Sequence, residues 1–79
     1  MVTATEARSL VIRLIGEIAP DADAATVDGG ADLQEELDLD SMDLMNLVTA
    51  VSEETGREIP DRDAGRLRTL DDWAAYLAA

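Results

Sequence analysis

Ser41 is the residue in this chain whose setting most invites chemistry, because three carboxylates, Asp38, Asp40 and Asp43, crowd around it at the start of an amphipathic stretch. A serine hydroxyl becomes a nucleophile when a neighbouring base takes its proton. The chain has no His and no Cys, and all six basic residues are Arg, so only a carboxylate could serve as that base. Carboxylates are poor bases for an alcohol. If Ser41 reacts, a second enzyme must activate it. The opening turn of a helix, with its unpaired N–H groups and positive dipole end, suits a serine that accepts a phosphodiester-linked group. The three Asp residues oppose an incoming phosphate, so a metal ion or basic side chains from the partner would have to offset them. The plainer reading of Ser41 is an ordinary N-cap.

The same acids fail as a calcium loop. With Asp38 and Asp40 at the first and third positions of an EF-hand, Met42 falls at the fifth, Asp43 where glycine belongs and Thr49 where a bidentate Glu is required. Without His or Cys, zinc sites built on nitrogen or sulfur ligands are closed as well, as are disulfides, thiolate nucleophiles and a Ser–His pair. No metal site is expected, and no catalytic residue of the chain's own.

The elements that must position Ser41 follow from spacing. Thr3-Ala4-Thr5-Glu6 fits a capping box, and behind it Ala7, Leu10, Val11, Leu14, Ile15 and Ile18 form one apolar helical face that Pro20 brings to an end. From Pro20 to Asp38 no clean period runs. About nineteen residues is long for a connection in a small domain, so Val27, Leu33 and Leu37 are expected to pin it, with a turn of helix over 33–37. A second helix begins with Asp40 or Ser41 as N-cap and stops at Gly56, with Leu44, Leu47, Val48 and Val51 facing the core. Residues 57–60 form an extended link that buries Ile59, and residues 61–67 permit one or two helical turns. Thr69-Leu70-Asp71-Asp72 repeats the capping pattern ahead of a last helix whose inner face is Leu70, Trp73, Ala74 and Leu77. The expected fold class is all-α: a single domain over residues 1–79, built as a four-helix bundle with three longer helices, a short third helix and a long first loop.

Charge narrows the partners. Six basic against 18 acidic residues leave a formal net charge of −12, and between Arg13 and Arg57 there is no basic residue at all. Such a surface repels phosphate backbones and anionic lipid headgroups, which argues against nucleic acid and membranes and for basic protein partners. No apolar run approaches the ~20 residues that span a bilayer, and no charged leader with an apolar core opens the sequence. A cytoplasmic monomer is expected.

Asp40-Ser41-Met42, preceded by Leu37-Asp38-Leu39 and followed by an amphipathic helix, Glu53-Glu54, Ile59-Pro60 and the closing Thr69-Leu70-Asp71-Asp72 helix, resembles the acyl carrier protein family over essentially the whole chain. The resemblance implies that Ser41 carries 4′-phosphopantetheine, installed from coenzyme A by a magnesium-dependent phosphopantetheinyl transferase. Acyl intermediates would then travel between enzymes as thioesters on an arm supplying the thiol that the chain lacks. It further implies that Asp40 lies near the transferase's metal. The helix after the serine would meet basic docking patches on acyl-loading, condensing and processing enzymes, through Met42 and Met45 with Asp43, Glu53 and Glu54. Flexible Met side chains suit a surface that meets several partners, and Ser41 and Glu54 would lie roughly 20 Å apart on a regular helix.

This sequence departs from the common fatty-acid type. Asn46, Thr49 and Ser52 stand where relatives often have Glu, an apolar residue and Glu, and Leu39 stands where glycine is often found just before the Asp-Ser pair. The thinned acidic face makes Asn46 and Thr49 candidate specificity positions and points toward a dedicated carrier in polyketide or other natural-product assembly as much as toward fatty-acid synthesis. Two alternatives stay open: a carrier of aminoacyl or peptidyl groups, and an unmodified acidic helical module that binds a basic partner.

Overall fold

The Thr3–Glu6 capping box forms as the sequence predicts: the Thr3 hydroxyl accepts from the Glu6 N–H at 3.1 Å and the Glu6 carboxylate accepts from the Thr3 N–H at 3.1 Å. It starts α1, Ala4–Ile18, in a computed structural model that describes residues 2–78. One turn of 3₁₀-helix, Ala24–Thr26, interrupts the long connection, followed by α2, Leu33–Glu36. Then come α3, Ser41–Thr55, α4, Asp61–Ala64, and α5, Leu70–Ala78. Among the described residues there is no strand. The all-α bundle with three longer helices is as expected, and the turn over 33–37 adds a second one-turn helix to the single short one anticipated. No helix is long and apolar enough to cross a membrane among the described residues.

α1 is the central element, packed against α5 on one side and α3 on the other. Ala7, Val11, Leu14 and Ile15 are buried from α1, Leu47 and Val51 from α3, and Leu70, Trp73 and Leu77 from α5. Leu10, Ile18 and Ala74, expected on inner faces, are only half-buried. Ile59 and Leu67, on either side of α4, anchor that short helix by its flanks.

The long connection is pinned, but by more than its apolar residues. Leu33 is fully buried and Ala24 nearly so, whereas Val27 and Leu37 are half-buried. Backbone bonds complete the attachment: Leu33 N–H donates to the Arg68 carbonyl at 2.8 Å, and Asp71 N–H donates to the Gly29 carbonyl at 3.0 Å. Asp32 caps α2 by accepting from the Gln34 and Glu35 amides at 2.9 and 3.3 Å, and it pairs with Arg68 at 2.7 Å. Desolvation of Asp32 raises its pKa, but the two amides and the Arg68 guanidinium outweigh that and hold the carboxyl below its ordinary value.

A carboxylate with a depressed folded-state pKa contributes stability that is present above the unfolded value and lost as the pH falls through the folded one. Asp32→Asn is therefore expected to lower the thermal midpoint at neutral pH. The gap from wild type should close only below the ordinary carboxylate range of about 4, as thermal melts across an acid titration would record. A gap that persists unchanged to the lowest pH would assign the effect to lost shape rather than lost charge.

Candidate functional site

Asp40, not Ser41, is the N-cap of α3. Its carboxylate accepts from the Asp43 N–H at 2.8 Å, and the Asp43 carboxylate returns a contact to the Asp40 N–H at 3.3 Å, so the two acids close a capping box on each other. Ser41 is the first helical residue, exposed, and its hydroxyl makes no hydrogen bond with any described residue. The capping work is done by its neighbour. The first-turn amides of Ser41 and Met42 precede the first i→i−4 donor, Leu44 N–H to Asp40 carbonyl at 3.1 Å, and so have no helical acceptor. A free hydroxyl thus stands beside unpaired N–H groups at the positive end of a 15-residue helix, a setting that suits a phosphodiester.

The turn that delivers Ser41 carries a correction. The left-handed residue ahead of the serine is Asp38, with φ 54°, and Leu39 is a buried core residue at 6% exposure. Leu39 N–H donates to the Gln34 carbonyl at 3.1 Å, the 6→1 bond of a Schellman turn that ends α2, and the residue before it must be left-handed. The position that favours glycine is therefore Asp38, and Leu39 replaces no conformational glycine; it supplies the apolar contact that accompanies such a turn. Asp38→Gly relieves the Cβ penalty and is expected to raise stability by about 0.5–1 kcal/mol, read as a higher urea midpoint. An unchanged or lower midpoint would show that Asp38 tolerates its conformation without strain.

On α3 the 3.6-residue repeat sets Met42, Met45, Asn46, Thr49 and Glu53 opposite the buried Leu47 and Val51. Met42 is 69% and Met45 55% exposed, the large apolar side chains most open to solvent among the described residues. Asp43 and Glu54 lie elsewhere. Asp43 is half-buried and spent on the capping box, while Glu54 accepts from Arg13 of α1 at 2.9 Å, in a pair that also holds Glu17 at 2.9 Å. That pairing, led by the Glu54 bond, raises the Arg13 pKa above its ordinary value. Of the seven surface residues the sequence singles out on α3, five share one outward face; Asp43 closes the cap of its own helix and Glu54 pairs with α1.

Leu44 and Val48, expected in the core, are half-buried because one side of each borders an open groove. The groove, about 380 Å³, begins at Ser41 and runs between Leu44, Met45 and Val48 of α3 and the α4 segment, where Asp61, Ala64 and Gly65 form the far wall. Little in the local sequence of 61–65 signals a wall. Small residues at Ala64 and Gly65 facing an apolar helix stripe were the available hint. Among the described residues, no three acids converge as a metal site would require.

These features match those of known proteins along the length of the chain. The family model for the phosphopantetheine attachment site matches residues 9–77. Acyl carrier protein of Bdellovibrio bacteriovorus is 37% identical over 70 residues, covering 89% of this chain and 83% of that protein. Acyl carrier protein of Rubrobacter xylanophilus is 33% identical over 73 residues, covering 89% and 90% respectively. The solved structure of acyl carrier protein from Enterococcus faecalis superposes with a TM-score of 0.72 over 98% of this chain and 96% of that one, at 24% identity, and so shares the fold. With a free serine at a capped helix start, a helical bundle of the same architecture and relatives matched over most of their length, the chain belongs to the acyl carrier protein family and carries the family's phosphopantetheine-attachment domain.

Proposed function

We propose that Ser41 is the residue that receives 4′-phosphopantetheine and that the Met42–Glu53 face of α3 is where partner enzymes dock. The observation that carries the first half is the exposed Ser41 hydroxyl, which has no hydrogen bond to the described residues while Asp40 and Asp43 do the capping. The prosthetic arm supplies the thiol that a chain without cysteine lacks, and acyl groups are carried on it. The Ser41 oxygen would form the new P–O bond as the phosphoanhydride bond of coenzyme A breaks, the nucleotide part leaving with the other phosphate and the serine proton passing to a base of the transferase. The amides of Ser41 and Met42 lie where the phosphodiester would sit. Asp40, fixed by its bond to Asp43 N–H, keeps its second carboxylate oxygen available toward a metal ion brought by the transferase. The groove beside Ser41, with its apolar stripe of Leu44, Met45 and Val48, is open to an acyl chain that folds back from the arm.

Docking on this face would rest on Met42 and Met45 more than on charge, since Asn46 and Thr49 are neutral and Glu53 is the one carboxylate that shares it. Acids at the front, Glu35, Glu36, Asp38 and Asp40, are exposed and offer a complement to basic side chains around a partner's active-site entrance. This division fits a carrier dedicated to a specialised acyl-assembly system, acting as a cytoplasmic monomer. Intact mass of the protein isolated from its growing native host tests the reading. A phosphopantetheine adduct bearing an acyl group supports it and identifies the cargo class; an aminoacyl adduct would shift the cargo, and persistent unmodified protein would count against the assignment of Ser41.

A further inference from the structure

α4 forms the far wall of the groove beside Ser41, yet it is a single turn with no side-chain N-cap and no buried residue of its own. Among the described residues, one side-chain hydrogen bond ties it to a long helix, from the Tyr76 hydroxyl of α5 to the Asp63 carboxylate at 2.8 Å. Tyr76 is in turn held from the link ahead of α4. The Arg57 guanidinium lies 5.5 Å from the centre of the Tyr76 ring and donates to the Tyr76 carbonyl at 2.6 Å. Both Asp63 and Tyr76 are partly buried, so their bond is shielded more than an exposed pair would be. The bond to Asp63 is also the main cause that raises the Tyr76 phenol above its ordinary pKa.

We infer that Tyr76 and Asp63 are positioning residues for the cargo groove: their bond holds α4 at a fixed distance from α3 and so sets how an acyl chain attached through Ser41 is sheltered. This rests on the reading of Ser41 and its groove given above. Neither residue touches the attachment atom. Their effect is transmitted by Ala64 and Gly65, which move with α4 and line the groove opposite Leu44 and Val48. α4 is able to shift, because Ile59 and Leu67 anchor its flanks while no residue of the turn between them is fully buried.

Tyr76→Phe keeps the ring beneath Arg57 and removes only the donated bond; Asp63→Ala removes the acceptor, and Asp63→Asn retains an acceptor oxygen. In the unmodified protein, hydrogen exchange of amides 61–67 should speed by about tenfold in Tyr76→Phe and in Asp63→Ala, with little change in the cores of α1 and α3, and Asp63→Asn should stay near wild type. The double variant should be no worse than either single one, because both remove the same bond. A second readout uses protein loaded at Ser41 with acetyl- or octanoyl-pantetheine from the corresponding coenzyme A thioester. The ratio of hydroxylamine cleavage rates, acetyl over octanoyl, reports shelter of the longer chain, and it should change several-fold in Tyr76→Phe. Unchanged exchange over 61–67, or faster exchange with an unchanged ratio, overturns the inference. Failure of the native chain to accept any pantetheine group would instead remove the reading at Ser41, and the exchange result on unmodified protein keeps the two failures distinct.

Discussion

Ser41→Ala is expected to abolish modification by a phosphopantetheinyl transferase while leaving the fold intact. The two halves of this result have separate causes. Loss of the hydroxyl removes the only atom through which the phosphodiester could form at this position, so adduct formation should drop to background rather than slow. Stability should stay within about 0.5 kcal/mol of wild type, because Ser41 is exposed, the α3 cap belongs to Asp40 and Asp43, and alanine is the better helix former. The remaining serines give the controls. Ser9 is exposed on α1 and its loss should be silent in both measurements. Ser52 donates its hydroxyl to the Arg57 carbonyl at 2.7 Å, so Ser52→Ala is expected to cost about 1 kcal/mol of stability with modification retained. A Ser41→Ala protein that still gains the group, or that unfolds, would contradict the division of labour between Asp40 and Ser41.

The largest effect on stability is expected at Trp73. This side chain is 1% exposed and is the bulkiest fully buried residue in a core otherwise built from aliphatic side chains. Truncation to alanine in such a core costs about 3–5 kcal/mol, against a total stability of about 4–12 kcal/mol for a domain of this length. Trp73→Ala should therefore leave the native state marginal or lost at 37 °C, seen as a collapsed urea transition and loss of helical circular dichroism. Trp73→Phe is the informative partner. The buried indole Nε1 finds no hydrogen-bond acceptor among the described residues, and an unpartnered buried N–H is costly, so phenylalanine trades a smaller apolar volume for relief of that penalty. It should fall much closer to wild type than alanine does. A Phe variant as damaged as the Ala variant would indicate that the ring's full volume, not its polar atom, dominates the site.

Much of this architecture was legible before any coordinates, because the signals are local. The Thr3–Glu6 and Thr69–Asp72 boxes, Pro20 and Gly56 each act within one turn of chain, and each forms as its residues imply; Gly56, for instance, takes φ 70° and its N–H donates to the Ser52 carbonyl. What stayed hidden depends on contacts between distant segments. Which of two adjacent residues caps α3 was undecided in sequence, since Asp and Ser are equally good caps; the reciprocal bonds of Asp40 and Asp43 decide it.

The left-handed position lies one residue earlier than the sequence suggests. In sequence Leu39 stands where glycine is often found, and only the Schellman bond to Gln34 shows that Asp38 bears the left-handed conformation while Leu39 is core. Glu54 reads as a contact for a partner until α1 brings Arg13 to it across 41 residues of sequence. Leu44 and Val48 have the same periodicity as Leu47 and Val51, yet the short α4 leaves them half covered, and so a groove opens where spacing alone gives a continuous core face. Tyr76 gave no signal at all, because its partners Asp63 and Arg57 are found 13 and 19 positions away.

The outward face of α3 is legible in the same partial way. Met42 and Met45 stand out in sequence as apolar residues off the core stripe, and their exposure follows from the helix repeat once Leu47 and Val51 are inside. That Asn46 and Thr49 share the face is also a consequence of the repeat. How the acids divide is not: the groups near Ser41 remain open to solvent, whereas Asp43 and Glu54 are engaged within the molecule.

The most direct measurement is intact mass followed by peptide mapping of the wild-type chain incubated with coenzyme A, magnesium and a promiscuous phosphopantetheinyl transferase, with an established carrier protein in the same tube. One phosphopantetheine mass should be gained, and it should map to the peptide that contains Ser41. No gain with several transferases while the companion carrier is modified, or a gain that maps to Ser9 or Ser52, would contradict the assignment of Ser41.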